Sequence, residues 1–274
     1  MNISLKATAI ATSLLLTQFS HAECAKPTVK GAEYVGCLVE GLSGVVKPQN
    51  NNEYIGGYVD KNGKTIIPFV YAPNIVGEGG EDLEMNDFSE GLVAVGKKTD
   101  PNANIFGQSI YGFIDKTGKT VIPFQYTSAE NFSDGLAVVG NDDNRYGYID
   151  KNNRMIIPAR FDSANSFSEG LARVSLPSNS QKIKTQYIDK TGKVAVSVDG
   201  DARDFSNGLA VFIKGDKYGF INKAGAIVIP IKYRYYEEDD YADSLGFVNG
   251  KAQVTTANGK KSCINTQGKT VNCH

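Results

Sequence analysis

The pattern of apolar and polar positions repeats along the chain. Residues 111–139 contain three short apolar runs, at 113–114, 120–123 and 136–139, separated by polar segments. The unit recurs, with some changes, at 55–95, 146–174, 186–211 and 218–254. Runs of this length between Gly, Pro, Asn and Asp are typical of short β-strands. We therefore expect an all-β array of about five antiparallel three-strand units with a hairpin cap at each end.

A polar segment of the pattern Asp-Lys-x-Gly-Lys links the first two runs of a unit. Asp at the first position accepts bonds from backbone N–H groups of its own turn, and Gly adopts the left-handed conformation that closes it. The full pattern occurs at 60–64, 115–119 and 189–193, and variants with Asn occur at 150–153, 222–225 and 265–269. These segments predict tight hairpins whose Asp and Lys side chains stabilise turns and take no part in catalysis.

Both faces of the predicted hairpin carry apolar side chains. We expect Phe113 and Val121 to share one face, and Ile114 and Ile122 the other. Strands that are apolar on both faces need cover on both sides, which stacked neighbouring units supply. The sequence therefore favours an open β-superhelix, with a closed β-propeller as the alternative. The predicted divisions are a signal peptide at 1–22, a cap with a worn hairpin at 23–53, the repeat region at 54–260 and a hairpin cap at 261–274.

Two motifs recur in a fixed order, Tyr-Gly-(Phe/Tyr)-Ile-Asp-Lys with a following Ile-Pro, and Phe-Ser-(Glu/Asp)-Gly-Leu-Ala. They resemble the WG (Trp-Gly) repeat family of bacterial β-repeat proteins, over nearly all of the chain from about Gly36 onward. The chain contains no Trp, and Tyr111, Tyr146 and Tyr218 stand where the family usually has it. The resemblance implies a β-repeat interaction scaffold without a shared catalytic site.

The N-terminus and the cysteines both indicate export. Lys6, the apolar stretch 7–16 and the small-x-small sequence Ser20-His21-Ala22 are typical of a secretory signal peptide. We therefore expect a periplasmic (Gram-negative) or secreted protein with no membrane span in the mature chain. The four cysteines are Cys24, Cys37, Cys263 and Cys273. An even number in an exported chain predicts disulfides, and we favour Cys24–Cys37 and Cys263–Cys273 as staples of the two ends, with a metal site as a weaker alternative.

The charge balance and the motifs of the sequence limit the chemistry that we expect of this chain. The chain has 29 basic and 30 acidic residues, which leaves no electrostatic footprint for nucleic acid. The predicted mature chain keeps one histidine, His274, and no phosphate-binding or metalloprotease motif occurs. We therefore expect no catalytic residues, no metal and no cofactor. A hydrolase that uses two carboxylates stays an alternative, because paired acids need no sequence motif.

Two insertions between the second and third strands depart from the repeat. The spacing from Pro to Phe is 9 residues in regular units but 20 at 68–88 and 17 at 230–247. Both insertions are acidic, and the second is also rich in Tyr, a residue that often anchors interfaces. The predicted binding residues are Glu78, Glu81, Asp82, Glu84, Tyr235, Tyr236, Glu237, Glu238, Asp239, Asp240 and Tyr241.

The favoured function is an exported, non-catalytic scaffold that binds another protein through these acidic and aromatic segments, whose charge favours a basic partner. A specific form is a periplasmic inhibitor or immunity-type protein. The alternatives are a cell-wall glycan-binding module, in which Tyr rings stack on sugars, and the carboxylate hydrolase. For the glycan module, Tyr111, Tyr146 and Tyr218 should not all be buried.

Overall fold

The computed structural model describes residues 24–49, 53–76, 82–99, 109–176, 184–236 and 245–273. Among these residues the regular structure is entirely β, and no helix is long and apolar enough to span a bilayer. The predicted signal peptide, residues 1–22, lies outside the described residues.

Six small antiparallel sheets follow one another along the chain, and in each the strands are neighbours in chain order. The first contains β1 (Tyr34–Val35), β2 (Ser43–Pro48), β3 (Tyr54–Val59) and β4 (Thr65–Tyr71); a separate hairpin of β5 (Asn74–Val76) and β6 (Asp82–Glu84) follows it. The second contains β7 (Leu92–Lys98), β8 (Ser109–Asp115) and β9 (Thr120–Tyr126). The third contains β10 (Ser128–Ala129), β11 (Ala137–Gly140), β12 (Tyr146–Ile149) and β13 (Met155–Phe161).

The fourth sheet contains β14 (Ser163–Ala164), β15 (Ala172–Ser175), β16 (Thr185–Ile188) and β17 (Val194–Val198). The fifth contains β18 (Asp201–Ala202), β19 (Leu209–Lys214), β20 (Lys217–Asn222) and β21 (Ile227–Arg234). The sixth contains β22 (Lys251–Thr255), β23 (Lys261–Asn265) and β24 (Thr270–Val271). The all-β array of small antiparallel units is therefore confirmed.

The sheets begin at a different point of the repeat than the sequence suggests. In the third sheet, β11 pairs with β12, so the last strand of one predicted unit joins the hairpin of the next. A short strand, such as β10, adds a fourth member to most sheets. The segment 33–48 contains the two strands that precede a Tyr-Gly strand: the short first strand of the sheet and the strand after it. Tyr34 pairs with Val46, and the turn between them has Glu40 and Gly41 at positive φ. The segment is therefore not a degenerate version of the hairpin that begins with Tyr-Gly.

The predicted turns form as expected. In the second sheet the Asp115 Oδ1 accepts the backbone N–H groups of Thr117 (2.9 Å) and Lys119 (3.0 Å), and Gly118 has a φ of 83°. These bonds lower the pKa of the Asp115 carboxyl, with the largest contribution from the Thr117 hydroxyl. The ionised side chain is thus held by its own turn, as the sequence predicts.

A β-bulge next to this turn in each of the first five sheets changes the predicted faces. In the second sheet Ile114 pairs with Thr120 but Phe113 pairs with Ile122, so Val121 has no opposite partner. Phe113 and Ile122 therefore share the buried face, and Val121 is exposed; the prediction that Phe113 and Val121 share a face is wrong. A bulge inserts one extra residue into one strand and shifts all later residues to the other face, which the hydrophobic pattern alone does not reveal.

Aromatic pairs join one sheet to the next. The aromatic residue that follows the repeat Gly, or Gln186 in the fourth sheet, packs against the Phe of the Phe-Ser motif, or Phe247, in the next sheet, with ring centroids 4.8–5.1 Å apart. The pairs are Tyr58–Phe88, Phe113–Phe132, Tyr148–Phe167, Tyr187–Phe205 and Phe220–Phe247. All ten rings are buried, so each junction has its own apolar core.

A second set of contacts clamps the same junctions. Two-residue turns close at 39–42, 89–92, 133–136, 168–171, 206–209 and 248–251, and both central residues of each have positive φ. The first of these two residues accepts a hydrogen bond from the turn Gly N–H of the next sheet: Glu40 from Gly91, Glu90 from Gly135, Asp134 from Gly170, Glu169 from Gly208 and Asn207 from Gly250.

Lysines and serines complete these clamp turns. The Lys of the Asp-Lys turn in the next sheet reaches the same acid, as in Lys116–Glu40 (2.8 Å) and Lys223–Glu169 (3.1 Å). The Ser hydroxyls of four clamp turns, 89, 133, 168 and 206, donate to the carbonyl of the next opening Phe at 2.6–2.7 Å. The Phe, Ser, acid and Gly of the motif and the turn Lys thus fix one sheet against the next.

Disulfides close both ends, in the predicted pairing. Cys24 is bonded to Cys37 and Cys263 to Cys273, with Cα–Cα distances of 5.2 and 5.3 Å. Cys263 occupies the position at which the other sheets carry the aromatic ring that packs on a following Phe. Cys263 is 1% exposed and bonded to Cys273, so a disulfide stands in the sixth sheet where the other sheets have an aromatic pair.

Candidate functional site

The first acidic insertion is built as an ordered hairpin. Strands β5 and β6 pair antiparallel, with Asn74 opposite Glu84 and Val76 opposite Asp82. The Asn74 amide donates to Asn86 Oδ1 at 2.9 Å, which ties the hairpin to the chain that leads into the second sheet. A loop that merely solvated its charges would not need these pairings, so the described part of the insertion has a defined surface.

Apolar and polar contacts hold the hairpin on the first two sheets. Met85 is 4% exposed and belongs to the core cluster that contains Tyr58, with Tyr34 and Leu83 packed against that cluster. On the polar side, the Asn131 amide donates to the Asp87 carbonyl oxygen at 2.7 Å. The described acids of the insertion, Asp82, Glu84 and Asp87, therefore lie on a fixed platform.

The platform holds two carboxyl groups, those of Glu84 and Asp87, whose ionised form is disfavoured by burial. Burial raises the pKa of Glu84, and the neighbouring Asp87 raises it further. Burial also raises the pKa of Asp87, whose Oδ1 is buried without a hydrogen-bond partner. The pKa of the Tyr34 phenol rises through burial first, and then through Glu84 and Asp87. Ionised acids in this environment gain from an approaching cation, because burial has removed part of their hydration.

Polar side chains extend along the following junctions. The Ser166 hydroxyl donates to Glu130 Oε2 at 2.7 Å, and Asp204 accepts from Asn165 (3.2 Å) and Arg173 (3.2 Å). Glu130 is exposed at the surface, yet protein atoms surround its carboxyl group densely enough that lost hydration raises its pKa. Glu130, Asp204 and their partners were not among the predicted site residues, since nothing in the sequence distinguishes them from other surface acids.

The structure describes some of the predicted binding residues. Asp82 is exposed on β6 and Glu84 is half-buried beside it. In the second insertion Tyr235 packs against the core of the fifth and sixth sheets, whereas Tyr236 is 40% exposed with the Arg234 guanidinium 5.7 Å from its ring. The remaining predicted residues lie outside the described part of the chain: Glu78, Glu81, Glu237, Glu238, Asp239, Asp240 and Tyr241.

The residues behind the alternative functions are placed as follows. Tyr218 is fully buried, while Tyr111 and Tyr146 are half-buried, so these three rings do not form an exposed row for stacking on sugars. The cleft between the fifth and sixth sheets is lined by Tyr233, Ser262, Thr270 and neighbouring residues, none of them acidic. Within the described ranges no three His, Cys, Asp or Glu side chains group as metal ligands.

Comparisons with known proteins agree with the repeat pattern. The model of a family described as "WG containing repeat" matches residues 57–72, 111–144, 146–176, 187–218 and 218–260, which is more than half of the chain. No curated protein sequence matches the chain.

Among solved structures, BamB from Moraxella catarrhalis is similar with a TM-score of 0.44 and 11% identity, over 85% of this chain and 70% of that one. The WD40 β-propeller domain of Doa1 is similar with a TM-score of 0.35 and 14% identity, over 89% of this chain and 78% of that one.

Proposed function

The chain belongs to the family of WG-containing repeat proteins, and we propose that it is an exported, non-catalytic scaffold that binds a basic partner protein. The two disulfides support export, because such bonds persist in oxidising compartments. The clamped junctions support a scaffold, because they fix each sheet to the next and leave the insertions to vary. We call the binding surface the acidic platform: Asp82, Glu84 and Asp87 with Tyr34.

One observation carries the proposal. The acidic platform keeps two partly buried carboxyl groups, Glu84 and Asp87, next to each other without a described ion pair, although their mutual repulsion and lost hydration are unfavourable. Lys or Arg side chains of a partner would compensate these charges, and charge complementarity also speeds association. An inhibitor or immunity-type protein that caps a basic enzyme is one specific form of this function.

Capture followed by a binding measurement tests the proposal. The mature protein and the variant Asp82→Ser/Glu84→Gln are used as bait in an envelope extract. The matched control is Asp142→Ser/Asp143→Ser, which removes two exposed acids from a hairpin turn at 141–145. A captured protein is then purified and its Kd is measured by calorimetry at low and high salt.

We expect a basic protein whose affinity falls at least about tenfold for the platform variant, and by less than about threefold for the control. Higher salt should weaken the wild-type complex, because part of the attraction is between exposed charges. Equal affinity of all three proteins for the partner would exclude the acidic platform as the binding surface.

A further inference from the structure

Exposed apolar side chains are concentrated on one strand of each sheet. Of the ten large apolar side chains that are exposed among the described residues, eight lie on the edge strands β4, β9, β13, β17 and β21. Single exposed apolar residues are normal on a protein surface, but their recurrence on the same strand of five successive sheets is not expected from chance.

In four of these five sheets a bulge places one of these residues outside the strand pairing. Ile66, Val121, Ile156 and Val228 are each skipped in the strand pairing, and they are 38%, 42%, 39% and 46% exposed. A bulge re-aims a side chain, and these four therefore face away from the core that the rest of the strand builds. Nothing in the packing of the sheet requires an apolar side chain there.

Neighbouring positions enlarge the apolar surface. The residue before the bulge is also apolar in the later sheets, where Met155, Val194 and Ile227 are 45%, 46% and 52% exposed. Two positions after the bulge, an exposed Pro stands at 68, 123, 158 and 230. Pro has no N–H, so it and the bulge prevent a partner from adding a strand to this edge, and binding must use side chains.

The charges beside this surface are basic. The residue before each edge strand is Lys64, Lys119, Arg154 or Lys193 in the first four sheets, and all four are exposed. None of the five edge strands contains Asp or Glu. The nearby turn carboxylates, such as Asp115, accept hydrogen bonds from the backbone N–H groups of their own turns, and Asp150 is also ion-paired with Arg154 at 2.6 Å. An approaching partner therefore meets apolar side chains bordered by Lys64, Lys119 and Lys193.

We propose that the bulge residues Ile66, Val121, Ile156 and Val228, with Lys64, Lys119 and Lys193 beside the edge strands, form a docking surface for an acidic, apolar segment of a partner protein. The surface is separate from the acidic platform and has the opposite charge preference, so the scaffold would hold two partners of different kinds. The proposal rests on the scaffold function and adds a second interface to it.

A peptide-display experiment tests this surface. A random peptide library is selected on the immobilised mature protein, and the enriched peptides are synthesised and titrated by fluorescence anisotropy. The variant that removes exposed bulge residues, called the rim variant, is Val121→Ser/Ile156→Ser/Val228→Ser. Its control is Val248→Ser, which removes an exposed apolar side chain from the turn at 248–251, away from the edge strands. Circular dichroism verifies that every variant is folded.

A charge variant tests the basic residues separately. Lys64→Glu/Lys119→Glu/Lys193→Glu reverses the charge beside three edge strands. Lys214→Glu/Lys217→Glu reverses two exposed lysines at the opposite end of a hairpin and is its control. We expect peptides rich in Asp or Glu and in large apolar residues, which lose at least about tenfold in affinity for the rim variant and for the charge variant but not for either control.

Three results would overturn the proposal. Enriched peptides that bind the rim variant as well as the wild type would show that they dock elsewhere. Enriched basic peptides that are lost with Glu84→Gln would support the acidic platform and leave the scaffold function standing without this second interface. If no peptide is enriched, while phosphatidylglycerol vesicles sediment the wild type and not the rim variant, the surface serves an anionic membrane instead.

Discussion

Gly147 lies at a point of the third sheet where the structure leaves no room for a side chain. On β12 it is the single residue between Tyr146 and Tyr148, which pair with Phe161 and Ile157, so the three residues 158–160 of β13 bulge opposite it. A Cβ at position 147 would lie 2.6 Å from the Ile157 carbonyl oxygen and 2.7 Å from the Ala159 nitrogen. Both are backbone atoms, so Gly147→Ala forces one strand away from the other.

The fourth sheet supplies the control. Its corresponding residue, Gln186, pairs one-to-one with Ser197, because β17 lacks both the Pro and the additional residues opposite this position. Overpacking of a tight site typically costs about 1–3 kcal/mol. We therefore expect Gly147→Ala to lower the free energy of unfolding by about 1–3 kcal/mol, whereas Gln186→Ala should change it by less than about 0.5 kcal/mol.

Urea denaturation followed by circular dichroism measures both variants; the chain has no Trp to serve as a fluorescent probe. The thermal midpoint should fall by about 2–4 °C for each kcal/mol in a protein of this size. If Gly147→Ala unfolds at the same urea concentration as the wild type, the close approach of the two backbones does not explain the repeat Gly.

Three further predictions follow from single contacts. Phe167→Ala should cost about 3–5 kcal/mol in urea denaturation because a buried ring is lost from a junction, whereas exposed Val248→Ala should have little effect. Burial raises the pKa of Glu84 above its unfolded value, so the contribution of this side chain to stability is lost as the pH rises through the raised pKa. Glu84→Gln should therefore be more stable than the wild type at pH about 7 and equal to it at pH about 3, and equal stability of the two proteins at both pH values would contradict the buried environment of Glu84. Cys273→Ser should destabilise the sixth sheet by about 2–4 kcal/mol, seen as faster proteolysis there; unchanged cleavage would contradict the capping role.

The sequence predicted those features that depend on local chemistry. The turn at 115–119 was predictable, because an Asp side chain and a left-handed Gly define it within five residues. The pairing of Cys263 with Cys273 was predictable for a similar reason, since the hairpin register places Cys263 opposite Val271, near the chain end. The recurrence of the motifs gave the family and the all-β array.

Features that depend on contacts between sheets could not be predicted in the same way. The Phe-Ser-Glu-Gly-Leu motif indicated only the start of a strand, whereas Ser89 and Glu90 act through residues of the next sheet, Phe132 and Gly135. The bulge at Val121 was missed because an unbroken Thr-Val-Ile run has the same hydrophobic pattern with or without it. The site followed the same rule: Glu84 was predicted from the acidic insertion, but its neighbour Asp87 gained importance only through burial.

The last junction indicates that the clamp contacts act together. Where the earlier clamp turns carry Glu or Asp, the fifth sheet carries Asn207, and the Asp-Lys turn of the sixth sheet has Thr266 in place of Lys. Acid and base are absent from the same junction, so neither charge is left without its partner. The Asn207 side chain still accepts from the Gly250 N–H at 3.0 Å, and its amide donates to the Phe247 carbonyl at 3.0 Å. The side-chain contacts with backbone N–H and C=O groups are therefore the constant part of the clamp. The Lys and the acid of the ion pair are an addition, and they are present or absent together.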